Sequence, residues 1–111
     1  MGVQTHECPL AGIQHHDVDS VREQLRELAP LQLRPEPENE YDPNAVGVYY
    51  EGHKLGFVAK TVAARISALL RGGAPYSAVI SQIDWSAQPY HQVHMVVAVR
   101  TPDVEGEGVT E

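Results

Sequence analysis

The sequence has a single cysteine, Cys8, in 111 residues. A lone thiol forms no disulfide within its own chain, which points to a reducing compartment. No apolar run approaches the ~18 residues that a membrane-spanning helix needs. The first eight residues have neither a basic nor an apolar stretch, so no secretory signal is read there. Gly2 follows Met1, but His6 stands where N-acylation wants Ser or Thr. A cytoplasmic protein is the expectation. Basic residues are scarce as well: 8 Lys and Arg face 15 Asp and Glu, a formal charge of −7. That balance argues against a strongly basic coat protein and against wholesale non-specific DNA binding. No Gly-x-x-x-x-Gly-Lys-Ser/Thr stretch is present, and the chain is too short for a nucleotide-driven motor.

What is present is ordinary for a soluble globular domain: 42% hydrophobic and 21% charged residues. A chain of this length makes one domain and buries roughly two thirds of its unfolded surface. The charge is uneven. Residues 102–111 carry Asp103, Glu105, Glu107 and Glu111 with two glycines and no base, and read as a disordered acidic tail. Without those four charges, 11 acids face 8 bases, a balance of −3. Glu36, Glu38, Glu40 and Asp42 form a second acidic cluster. Between His53 and Arg71 the sign reverses, with Lys54, Lys60, Arg65 and Arg71 and no acid. That segment is either a mildly basic face or a solvated helix and strand surface. Residues 1–7 read as an N-terminal extension and 8–101 as the domain.

Along the chain, residues 10–13 make a short apolar strand. Ser20 with Glu23 fits a capping box, opening a helix whose Val21, Leu25 and Leu28 repeat at helical spacing and which Pro30 ends. Leu31 and Leu33 alternate with polar residues as a brief strand, and residues 35–44 form a loop. Residues 45–50 and 54–59 read as a hairpin around Glu51-Gly52-His53. Gly56 breaks the alternation of the returning strand. A bulge there lets Leu55 and Val58 both face inward and turns Phe57 outward. Residues 61–70 are helical, stopped by Gly72-Gly73. Residues 76–84 and 91–100 complete the set, the last with Val93, Met95, Val97 and Val99 on one face. Six short strands and two helices predict a mainly β, α+β domain: a small curled sheet or partly open barrel plugged by helices.

Between Leu31 and Gly73 the sequence becomes specific. The run Asn39-Glu40-Tyr41-Asp42-Pro43-Asn44-Ala45, behind an acidic, proline-containing loop, precedes an apolar strand and then Leu55-Gly56-Phe57-Val58-Ala59-Lys60 and a helix. This resembles the signature of the HIRAN domain, whose pattern is Asn-Pro-Tyr-Asp-x-Asn-Ala, an apolar strand, then Leu-Gly-Tyr-Val-Pro. The match is dense over roughly forty residues and looser on both sides. The resemblance implies a modified OB-like, partly open six-stranded barrel. It also implies capture of single-stranded DNA at a free 3′-hydroxyl end, in DNA repair or replication. Family members attached to a helicase motor use the domain in that way. Here the end-binding module stands alone, as a monomer, with a helicase or other repair protein as the implied partner and no cofactor.

The residue types suit that task. A carboxylate at Asp42 accepts a hydrogen bond from a terminal hydroxyl and repels the phosphate that continues a strand. Asp42 precedes Pro43 and is equally suited to an Asx turn. Tyr41 offers a flat ring for base stacking, or a half-buried support under the loop. Asn39 reaches a base edge or a phosphate, or shapes the turn; Asn44 is read as loop geometry. Phe57, the only phenylalanine, is a second platform if the bulge turns it out, and a core residue otherwise. Lys60 matches the family's phosphate-binding lysine, beside the open N–H groups of a helix start. Where the family's DNA-binding members carry an Arg-Tyr-Tyr-like run, this chain has Gln14-His15-His16. Imidazoles stack, and they gain charge as pH falls through about 6.5. Glu40 replaces the family's proline and adds a negative charge. Both departures predict weaker or altered DNA binding. Trp85 either stands in for a family aromatic or sits on a barrel rim.

Two other functions compete. A HIRAN-fold protein-interaction module without DNA capture fits the charge of −7 and the missing Arg-Tyr-Tyr run. A metal-dependent nuclease needs carboxylates held close to a divalent ion; the acids here share one loop, and no Asp/Glu-x-Lys follows. His6, Cys8, His15 and His16 match no zinc spacing. In strands, His15 and His16, or His91 and His94, are not placed to share an ion. No catalytic residue, metal ligand or cofactor is therefore expected.

Overall fold

Alternation at residues 93–99 dictates one apolar face, and Val93, Met95, Val97 and Val99 are all fully buried. A computed structural model of the chain describes residues 2–101, with the side chain of Gln14 left out. Six strands form the scaffold: β1 (Gly2–Ala11), β2 (Gln32–Pro35), β3 (Val46–Tyr50), β4 (His53–Val58), β5 (Tyr76–Ile83) and β6 (Val93–Thr101). Three helices join them: α1 (Val18–Val21), α2 (Lys60–Arg71) and α3 (Pro89–Gln92). The strand order is β2-β3-β4-β1-β6-β5, with every pairing antiparallel.

The sheet curls into the expected partly open barrel. β1 pairs with β6 from Gly2 opposite Thr101 to Pro9 opposite His94, then crosses to β4 through Leu10 opposite Val58 and Ala11 opposite Phe57. The outer edges approach one another. Leu28 and Leu31 donate backbone N–H groups to the carbonyls of Ile80 and Ala78, and Ile80 donates to Ala29. The Tyr76 hydroxyl accepts from the Leu33 amide at 2.8 Å. Leu10, Ile13, Leu55, Ile66, Ile80 and Met95 fill the interior.

Three expectations are corrected. Residues 2–7, read as an extension, belong to β1. Their composition is polar, so no buried face advertised the strand; backbone pairing with β6 makes it. The first helix shrinks to α1 and a single 3-10 turn at Arg22–Gln24. No capping box forms: the Ser20 hydroxyl donates to Asp17 Oδ1 at 2.6 Å instead. Val21 and Leu25 are buried as expected, but Leu28 is exposed at φ 71°, because the chain there turns to pair with β5. The acidic tail at 102–111 lies outside the described residues.

The hairpin and the second helix form where expected. Glu51 and Gly52 both have positive φ, as a two-residue hairpin turn requires. α2 ends in a Schellman arrangement: Ala74 N–H donates to Leu69 O, Gly73 N–H donates to Leu70 O, and Gly73 is left-handed. The bulge lies one residue before Gly56. Val48 pairs with Gly56 and Tyr49 with Lys54, leaving Leu55 unmatched. Leu55 and Val58 are both buried and Phe57 is half-exposed. Gly56 answers a different need: any Cβ there collides with the carbonyl oxygen of Ala11. Among the described residues no helix is long and apolar enough to cross a membrane.

Candidate nucleic-acid interface

The loop between β2 and β3 is short of apolar anchors, so hydrogen bonds fix it. Its neck closes where Glu36 N–H donates to Ala45 O at 2.8 Å, extending the β2–β3 ladder. Asn39 Oδ1 then accepts from two backbone amides, Tyr41 at 2.8 Å and Asp42 at 3.0 Å. Asp42 Oδ1 accepts from the Asn44 amide at 2.8 Å, an Asx turn. The Ala45 amide donates to Asp42 O at 3.0 Å. With its backbone held, the loop presents the Tyr41 ring to solvent, 89% exposed.

Facing that loop is a cleft of about 250 Å³. Asn39, Tyr41 and Asp42 supply one wall, Phe57 and Val58 of β4 the other, and Lys60 and Ala63 of α2 the end. The β4–α2 junction places Lys60 as the first helical residue, exposed. The preceding Ala59 provides no side-chain cap, and the first turn holds no acid. Val62 N–H donates to Ala59 O at 3.0 Å, which leaves the Lys60 and Thr61 amides and the positive end of α2 available to an anion.

Phe57 is held from the protein side. The Lys54 ammonium lies 4.2 Å from its ring centroid, and His16 packs edge-on at 5.1 Å. Lys54 Nζ also donates to Glu36 Oε2 at 2.6 Å, and Asn39 Nδ2 donates to Glu36 Oε1 at 3.0 Å. Burial pushes the Glu36 carboxyl up, but the hydrogen bonds from Lys54 and Asn39 outweigh it and bring the group below the usual carboxylate range. Burial, with Lys54 and His15 nearby, lowers the His16 imidazole.

The structure thus gathers Asn39, Tyr41, Asp42, Phe57 and Lys60 around one concavity. His16 touches it only through Phe57, and its lowered affinity for protons defers the charge expected near neutral pH. His15 is exposed on the 3-10 turn Ile13–His15 and is not part of the cleft lining, and of the Gln14 side chain nothing is described. Trp85 is taken up elsewhere, stacked under Arg22 at 4.3 Å. The basic stretch is thinned, because Lys54 is paired to Glu36 and Arg65 donates to Gln4. Sequence reasoning missed Lys54 and Glu36 as partners: they lie 18 positions apart and only strand register brings them together. His91 and His94 differ from expectation too. His91 lies in α3 rather than in a strand, so the two rings stack at 5.9 Å. No cluster of three or more potential metal ligands occurs among the described residues.

Comparison with known proteins agrees with this architecture. The HIRAN domain family matches residues 3–100. A crystal structure of a protein from Lactobacillus plantarum superposes with a TM-score of 0.75 at 21% identity, covering 88% of this chain and 97% of that one. The crystal structure of the HIRAN domain of human HLTF gives 0.61 at 18% identity, covering 88% and 73%. No curated protein matches the sequence.

Proposed function

The chain belongs to the HIRAN domain family, and on that premise we propose that its cleft captures single-stranded DNA at a free 3′-hydroxyl, serving DNA repair or replication beside a helicase. HIRAN domains are generally nucleic-acid-binding modules. One observation carries the reading: two aromatic rings, a carboxylate and a lysine at a helix start line the same small cleft. Tyr41 and Phe57 give stacking surfaces that accept any base. Lys60 and the start of α2 take a backbone phosphate. Asp42 sits among them with one oxygen fixed by the Asn44 amide. The turn uses that one oxygen, and the other accepts no hydrogen bond among the described residues. A terminal hydroxyl donates to that carboxylate, whereas a phosphate in its place meets like charge. The Asx turn and the end-recognition role are compatible.

Fluorescence anisotropy with a short oligonucleotide ending in 3′-hydroxyl, against the same strand ending in 3′-phosphate, tests this. The hydroxyl end binds more tightly, and Asp42→Asn narrows the gap. Equal affinity for both ends, or no binding at micromolar protein, overturns end capture. The imidazoles at His15 and His16 and the added charge of Glu40 lower the absolute affinity without removing the preference.

A further inference from the structure

The two walls of the cleft are joined behind its surface by three side chains that sequence reading had assigned to other tasks. Lys54 Nζ donates to one oxygen of Glu36 at 2.6 Å, and Asn39 Nδ2 donates to the other at 3.0 Å. Asn39 Oδ1 in turn accepts the backbone amides of Tyr41 and Asp42. At the other end, the same Lys54 ammonium lies 4.2 Å from the Phe57 ring centroid. The pair is shielded, with Lys54 25% and Glu36 23% exposed, so it is less screened than a surface ion pair. β3 leaves room for it at Gly47, where an added Cβ stands 2.7 Å from Glu36 Oε2. Both lone-pair directions of the Asn39 oxygen are engaged by the loop itself. Asn39 therefore shapes the loop and does not read a base with that oxygen.

We propose that Lys54, Glu36 and Asn39 form a positioning relay that fixes the Tyr41-Asp42 wall relative to Phe57 before DNA arrives, so that end discrimination depends on charged side chains that need not touch the DNA. The inference rests on the end-capture reading and adds residues to it. Its physical content is preorganisation. A loop held by its own hydrogen bonds loses little freedom on binding, and a loop released from them must be ordered at the expense of affinity.

The test combines two readouts on the full chain. Glu36→Ala removes both acceptors. Asn39→Asp keeps the oxygen for the Tyr41 and Asp42 amides but sets a carboxylate against Glu36. Glu36→Gln keeps one acceptor oxygen, for Asn39, but turns an amide NH2 toward the Lys54 ammonium, donor to donor, so the loop bond survives and the tie to Lys54 is cut. Amide hydrogen exchange of Tyr41 and Asp42 in the free protein rises in the first two variants and stays near wild type in Glu36→Gln. The affinity for a 3′-hydroxyl oligonucleotide falls by about five- to tenfold in the first two, the size expected for losing the net contribution of one ordinary hydrogen bond. Their preference over the 3′-phosphate end narrows, and Glu36→Gln, with the loop still ordered but the tie to Lys54 cut, falls between them and the wild type in both. The double variant is no weaker than the weaker single variant, as members of one network behave. If Glu36→Ala does not fold, Asn39→Asp, confined to the loop, carries the comparison. A wild-type end preference that survives in Asn39→Asp, or exchange there that does not move, overturns the relay and leaves end capture standing. Absence of any end preference in the wild type overturns end capture, and the relay falls with it.

Discussion

Tyr41 and His16 show how differently a single ring can be employed. Tyr41 is almost fully exposed and its ring takes little part in holding the fold. Tyr41→Ala therefore leaves the thermal midpoint within error while weakening single-stranded DNA binding by about 1–3 kcal/mol, measured by anisotropy. His16 is the reverse, packed on Phe57 and neutral for longer than a free imidazole. Its folded-state proton affinity lies below the unfolded one, so its contribution is fully present above the reference value of about 6.5 and is lost as pH falls through that value toward the folded one. Glu36 acts in the same direction at lower pH: its stabilisation is present above the unfolded carboxylate range and disappears as pH drops through its depressed folded value. Urea unfolding between pH 7 and pH 5 shows declining stability, and His16→Gln flattens the decline; an unchanged slope contradicts this assignment.

At the scale of elements, the junction of β1 with β4 organises the site, because it brings Ala11 and Phe57 side by side beneath the loop. Gly56 permits that approach. Gly56→Ala drives a methyl into the Ala11 carbonyl, a backbone atom that cannot swing aside. The expected loss is about 1–3 kcal/mol of stability in urea unfolding, with DNA affinity falling as the Phe57 wall shifts. The bulge at Leu55 has the complementary effect: one unmatched residue lets two neighbours point inward and re-aims Phe57 toward the cleft. The sequence announced the irregularity through its glycine and misplaced it by one residue, since a glycine demanded by close approach looks the same in sequence as one demanded by a bulge.

For the molecule as a whole, the long β1–β6 ladder ties the first residues to the last strand, so the domain does not begin at Cys8. Deleting residues 2–7 strips β6 of most of its partner. The truncated chain should show a melting temperature lower by more than 10 °C, or fail to unfold cooperatively, by far-UV circular dichroism; about 4–8 °C accompanies each 1 kcal/mol in a domain of roughly this size. An unchanged midpoint contradicts the pairing.

Sequence alone determined the alternation of β6, the β3–β4 hairpin with its turn and the stop of α2 at Gly72-Gly73, and it singled out Asn39, Tyr41, Asp42, Phe57 and Lys60, which the fold brings to one cleft. In each case the information is local: a period, a turn chemistry, or a motif within a few residues. Only tertiary structure decided the rest. Residues 2–7 became a strand because a partner 89 to 99 positions away offered its edge. Leu28 left its helical face to reach β5, and Lys54 met Glu36 across two strand pairings. Such choices depend on free energies released when distant segments meet, and no local pattern encodes which oppositely charged pair or which backbone edge will do so.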